Sequence, residues 1–333
     1  MAHNWYKVPD NAKLRPFTFI VGGRGIGKTY SAEDVCITEH YGNFLYLRNT
    51  REQLQESCGS FGNPFKAWAG DHDRNIILEM ERKHAVVNEY KEMDGAFKKF
   101  TAGFGANLST FENLRGVDLS NCTLGLFDEF IENRTLTFDQ HTAFLHMYET
   151  VNRNRELLGR EPFKVLLLSN AQRLGNPILR GFNLIPIIEK MQKTGQRSYA
   201  DGPIRIELPF SDISVEKKNT ALYKATEGTA FSSEALDNNF VNDSFTGVKK
   251  VNIKEYMPIC AIDNIYIYKH KSEVLYYACA IPADVKKYRS IDNFVVFYKL
   301  YGLAFKLAIG SDKFLFSDYS TKVDLLTLLK FLY

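Results

Sequence analysis

The 333-residue sequence predicts an α/β fold, with a mainly parallel sheet between helices in an N-terminal domain and a smaller C-terminal α/β domain. Three observations carry that prediction. Continuous apolar runs at 17–22, 44–48, 123–127 and 165–168 are separated by helix-length stretches at 28–40 and 138–155. That is the pattern of parallel strands covered on both faces. Second, a glycine-rich segment leads directly from the first run into the first helix. Third, composition shifts near residue 198: 211–243 is polar and charged, and from Tyr256 onward Tyr, Val and Ile dominate. The expected division is therefore 1–197, a linker at 198–245, and 246–333.

Taken in order, 76–80 and 85–89 read as two weaker strands around the charged turn Glu81-Arg82-Lys83-His84. Residues 101–109 read as a glycine-containing loop after Lys98 and Lys99. In the second domain, 259–269, 274–281, 294–298 and 303–309 read as strands because they are rich in β-branched and aromatic residues. The tail, 321–332, reads as a closing amphipathic helix. Hydrophobic residues make up 45% of the chain and the net charge is +3, which permits a polyanionic partner without demanding one. The five cysteines, Cys36, Cys58, Cys122, Cys260 and Cys279, lack metal-ligand spacing and read as free thiols of a reducing compartment. The polar stretch 1–10 has no apolar core of a signal peptide, and no apolar run is long enough for a membrane helix.

The strongest local signal is Gly22-Gly23-Arg24-Gly25-Ile26-Gly27-Lys28-Thr29, a G-x-x-x-x-G-K-T loop between a strand and a helix. Glycines let backbone N–H groups turn toward phosphates, and the helix N-terminus adds positive potential. Lys28 then reaches the β and γ phosphates of ATP, and the Thr29 hydroxyl ligates Mg²⁺. A second signal is Leu124-Gly125-Leu126-Phe127-Asp128-Glu129, an apolar strand ending in two acids. Asp128 suits the Mg²⁺ shell, and Glu129 suits the general base that polarises the attacking water. Asn170, at the end of another apolar strand, is placed to sense the γ-phosphate or position that water. Arg153, Arg155 and Arg160 cluster past the intervening helix, and Arg153 and Arg155 are the candidates for an arginine acting from a neighbouring subunit. Arg24 is a further cation near the nucleotide. Arg48 is expected to be mainly structural.

These motifs together resemble the packaging ATPases of tailed bacteriophages, most of all the phi-twenty-nine-like motor ATPases. Besides the loop and the acidic strand, the resemblance is carried by Tyr148-Glu149-Thr150-Val151-Asn152-Arg153-Asn154-Arg155 and Leu167-Leu168-Ser169-Asn170-Ala171. It implies a P-loop ATPase of the additional-strand, catalytic-glutamate class. It further implies a homo-oligomeric ring, a pentamer, docked on the portal of a viral prohead in the host cytoplasm. Double-stranded DNA would pass through its centre, with a packaging RNA as a further partner. By the same resemblance the C-terminal domain is RNase H-like, with Asp263 at the position of a first metal-binding acid. Asp312 and Asp318 do not complete a set for two metals, so loss of cleavage is expected. Lys249 with Lys250, Lys269 with Lys271, and Lys286 with Lys287 and Arg289 are candidate phosphate contacts. Two other readings stay open: a terminase-type large subunit with a working nuclease, and a nucleotide-binding assembly switch that does no work.

Overall fold

The computed structural model describes residues 5–114, 118–132, 136–170, 174–209, 211–229, 232 and 246–330. Ala171 of the motif, residues 230–231 and 233–245 of the linker reading, and 331–332 of the tail reading lie outside the described residues. The backbone divides into two compact units, Met1–Phe182 with Lys190–Asn242, and Asn183–Glu189 with Asp243–Tyr333.

The first unit is built on a nine-stranded sheet. Its strands are β1 (Phe17–Gly22), β2 (Phe44–Arg48), β3 (Ile76–Glu81), β4 (His84–Met93), β5 (Ala96–Asn107), β6 (Leu124–Asp128), β7 (Lys164–Asn170), β8 (Ser198–Asp201) and β9 (Ile204–Glu207). Their order is β3-β4-β5-β2-β6-β7-β1-β9-β8. The six central strands from β5 to β9 pair in parallel. At the two edges the chain turns back antiparallel. The central strands are buried on both faces, which is why they are unbroken apolar runs. Ile20, Tyr46, Leu126 and Leu166 meet Ala32, Cys36 and Trp68 from flanking helices in one core. Each large apolar side chain buried there contributes about 1.5–3 kcal/mol of transfer free energy.

Two expectations for this unit are corrected. Residues 101–107, read as a loop, belong to β5, which runs parallel to β2. The glycines there make room for packing rather than for a turn: a Cβ on Gly103 would lie 2.6 Å from the Phe44 ring. Residues 198–207, read as the start of a linker, form β8 and β9, and β9 pairs with β1 along Phe17↔Ile204 to Ile20↔Glu207.

The second unit holds a five-stranded mixed sheet, β10 (Tyr256–Ile262), β11 (Ile265–His270), β12 (Tyr276–Cys279), β13 (Lys287–Tyr288) and β14 (Phe314–Phe316), in the order β13-β10-β11-β12-β14. What reads as one strand at 259–269 is the β10–β11 hairpin. The stretches 294–298 and 303–309, read as strands, are helical: Phe294–Phe297, a π-helical turn Tyr298–Gly302, and Leu303–Gly310. Their aromatic residues recur with helical spacing, so Phe297, Tyr301 and Phe305 stack along one face, with Tyr301 and Phe305 ring centres 5.6 Å apart. The closing helix is Tyr319–Lys330, and Leu325 and Leu329 pack into the core of this unit. All five cysteines are free, and no helix among the described residues is long and apolar enough to cross a membrane.

Candidate nucleotide site

Three neighbouring parallel strands, β6, β7 and β1, end on the same side of the sheet. Register sets Gly22 beside Asn170 and Asp128 beside Leu168. Residues that are 22, 128 and 170 in the sequence therefore converge at the carboxyl edge, where α/β sheets bind ligands. The helix Lys28–Glu39 starts there, with Gly27 as its N-cap at φ +96°, a conformation that a β-carbon disfavours. Between them lies a cavity of about 370 Å³ lined by Arg24, Gly25, Lys28, Thr29, Asp128 and Glu129, with Asn170 at its wall.

Lys28 is buried, and its Nζ donates to the carbonyls of Gly22 (3.0 Å) and Gly23 (2.6 Å) and to Asn170 Oδ1 (3.2 Å). Burial lowers its ammonium to about 8, against Asp128, while Lys217 and Arg24 add to the lowering. The Thr29 hydroxyl donates to Asp128 Oδ1 at 3.4 Å. Burial also pushes the Asp128 carboxyl upward; Arg48 opposes this and Glu129 adds to it. Thr29 and Asp128 thus present two hard oxygen donors side by side, a set that fits Mg²⁺, which keeps several waters and takes few protein ligands.

Glu129 is held at φ +54°, a left-handed conformation uncommon outside glycine and asparagine. The turn aims its carboxylate at Arg48, whose Nη2 lies 2.8 Å from Glu129 Oε2 and whose Nη1 lies 3.5 Å from Asp128 Oδ2. Arg48, expected to be structural, is therefore part of the acidic pair's surroundings. Behind the turn is a buried amide network. Asn49 donates to the Glu129 carbonyl (3.1 Å), Gln140 donates to Asn49 Oδ1 and to the Phe130 carbonyl (2.6 Å each), and Asn176 donates to Gln140 Oε1 (2.9 Å). A satisfied network of this kind makes a strained turn single-valued.

The structure separates the two candidate arginines. Arg153 caps the helix Gln140–Asn152, is about half exposed, and touches Asp118 at 3.4 Å. Arg155 is buried, with Nη2 donating to the carbonyls of Ser120 and Cys122 (2.7 Å to Cys122). Its guanidinium is held within its own chain, so Arg153 is the more accessible of the two candidates. Two charged groups near the site were not singled out from the sequence. Lys217 donates to the Arg24 carbonyl at 2.6 Å, from a segment read as linker. Glu33, four residues past Thr29, is only 2% exposed, and burial first, then Asp128, holds its carboxyl well above the usual range. A charge on the buried face of the first helix was a legible signal for Glu33; nothing local pointed to Lys217.

The family model for the podovirus DNA encapsidation protein (Gp16) matches residues 2–266. The chain belongs to this family. The DNA packaging protein of Bacillus phage B103 is 31% identical over 243 residues, covering 71% of this chain and 68% of that protein. That of Bacillus phage phi29 is 29% identical over 243 residues, and the match spans 65% of its length. Among solved structures, the Phi-28 gp11 DNA packaging motor superimposes with a TM-score of 0.59 at 17% identity, covering 96% of this chain and 95% of that one. The bacteriophage Phi-29 viral genome packaging motor assembly gives 0.58 at 22% identity, covering 95% and 96%. These likenesses establish the fold, and the expected resemblance to phage packaging proteins is borne out.

Proposed function

We propose that this encapsidation-family chain binds ATP with Mg²⁺ at the carboxyl edge of β1, β6 and β7 and hydrolyses it to drive double-stranded DNA into a viral prohead. The observation that carries the proposal is the meeting of Lys28, Thr29, Asp128, Glu129 and Asn170 around one cavity. The loop N–H groups and Lys28 hold the phosphate chain. Thr29 and Asp128 hold Mg²⁺, which neutralises charge on the phosphates when bound. Glu129 takes the proton of the attacking water as it adds to the γ-phosphorus and the bond to the β-phosphate oxygen breaks. Asn170, fixed beside Lys28, orients the γ-phosphate or the water. Arg153, exposed at a helix end, stabilises the transferring phosphoryl group of a neighbouring subunit in a homo-oligomeric ring, a pentamer seated on the portal in the host cytoplasm. A packaging RNA is a further partner of that assembly.

The second unit is proposed as an RNase H-like element without nuclease activity. Its acids have local tasks: Asp263 Oδ1 accepts from the Ser290 N–H at 3.0 Å, and Asp318 Oδ1 accepts from the Thr321 N–H at 2.8 Å. ATP turnover by wild type, Lys28→Ala and Glu129→Gln, with and without double-stranded DNA, tests the main reading. It predicts DNA-stimulated turnover that both variants lose. Turnover in the variants equal to wild type would overturn it.

A further inference from the structure

Lys217 is 193 residues from the phosphate loop in sequence and yet lies on it. Its Nζ donates to the Arg24 carbonyl at 2.6 Å. It also stands over Gly25, where an added Cβ would sit 2.6 Å from Nζ. The ammonium is close enough to Lys28 to help lower that residue's basicity. It is half-buried, and burial lowers its own basicity. Only one of its three N–H donors is used in a hydrogen bond among the described residues.

The charge around the cavity is unbalanced. Arg24, Lys28, Arg48 and Lys217 gather there against Asp128 and Glu129, and Arg48 already engages both acids. Holding three more cations together without matching carboxylates is unfavourable, and a polyanion relieves it. The position of Lys217 follows from the fold. Strand β9 pairs with β1, the strand that leads into the phosphate loop, and the chain then turns into the helix Asp212–Lys217, N-capped by Ser211. The last residue of that helix is the one that reaches the loop.

From this placement we infer that Lys217 is a further phosphate-binding residue, joining Lys28 and Arg24 on the phosphate chain of the bound nucleotide. The inference rests on the nucleotide site proposed above. It adds that phosphate ties the segment after β9 more firmly to the loop it already touches. The rival role is a purely structural tether, Lys217 holding the Arg24 carbonyl and nothing else.

The test uses the full chain with Lys217→Ala, Lys217→Gln and Lys217→Arg. Glutamine keeps an N–H donor for the Arg24 carbonyl but removes the charge. Mant-ATP with Mg²⁺ reports binding, and inorganic tripolyphosphate displaces it, which isolates the phosphate contribution. The alanine and glutamine variants should bind tripolyphosphate about ten- to a hundredfold more weakly, and arginine within about threefold of wild type. Hydrogen exchange adds a second readout: nucleotide should slow exchange over 212–217 in wild type and not in Lys217→Gln. Unchanged tripolyphosphate affinity in Lys217→Gln, with or without a lower melting temperature, would overturn the inference and leave the tether. If wild type bound neither probe and Lys28→Ala made no difference, the nucleotide site itself would fall, a result distinct from loss of the Lys217 effect alone.

Discussion

At the ends of β6 and β10 the chain does the same thing twice. A strand carrying buried apolar residues stops, β6 at Asp128 and β10 at Ile262, and an acidic residue follows in left-handed backbone, Glu129 at φ +54° and Asp263 at φ +50°. The surroundings then part company. Glu129 follows a strand flanked by parallel neighbours, so its edge is shared with the phosphate loop and Asn170, and its carboxylate meets Arg48 at 2.8 Å. Asp263 sits in the tight turn of an antiparallel hairpin, where the chain reverses at once and its carboxylate accepts from Ser290. Parallel neighbours on both sides bring several strand ends from distant sequence to one edge, whereas one neighbour of β10 is its own returning hairpin strand and only the two-residue β13 runs parallel to it. The same local signature therefore marks the proposed reactive site in one place and a turn in the other.

The largest expected effect tests that contrast directly. Glu129→Gln should lower kcat for ATP by about 10²–10⁴, the usual contribution of a general base. Asp263→Asn should leave kcat within about twofold. Equal losses in the two variants would erase the distinction. Next come the arginines. Arg155→Ala strands the buried Cys122 carbonyl and the part-buried Ser120 carbonyl and should cost about 1–3 kcal/mol in denaturant unfolding, while Arg153→Ala should stay within about 0.5 kcal/mol. Mixing Arg153→Ala with Glu129→Gln chains should restore part of the lost turnover; no recovery would count against action across a subunit boundary.

A smaller effect is expected from pH. Lys28, held near 8, must be charged to hold phosphate, so affinity for mant-ATP should fall as pH rises through that value, by about tenfold at pH 9. Stability moves the other way. The unfolded lysine binds its proton more tightly than the folded one, so raising pH from about 8 toward 10.5 removes the cost of burying the ammonium and favours the fold. Flat affinity between pH 7 and 9 would show that Lys28 keeps its proton there. A further small loss of stability is expected from Asp263→Ala, about 1 kcal/mol from the lost hydrogen bond and the less tolerant left-handed turn, with Asn restoring it in thermal melts.

Much of the first unit was legible because its signals are local. A loop from Gly22 to Thr29, a strand that ends in Asp128 and another that ends in Asn170 can each be read in a short window. The second unit was less legible. Residues 294–310 are apolar and rich in Phe, Val and Tyr, which suggests strands by propensity, yet their spacing is helical and packing on the sheet decides the matter. Strand β5 was hidden by glycines that make room for Phe44.

By itself the sequence determined that a glycine-rich loop of the phosphate-binding type follows β1, that two acids end a nearby strand, and that the chain resembles phage packaging ATPases. Those properties live in contiguous backbone, where spacing alone sets geometry. Tertiary structure alone decided which partners surround them. Arg48 meets Glu129 across 81 residues of sequence, Gln140 meets Asn49 across 91, and Lys217 meets Arg24 across 193. It also decided that Arg153 stays exposed while Arg155 is consumed by the fold. A side chain's task is set by the atoms it reaches, and over such separations only the packed sheet brings those atoms within reach.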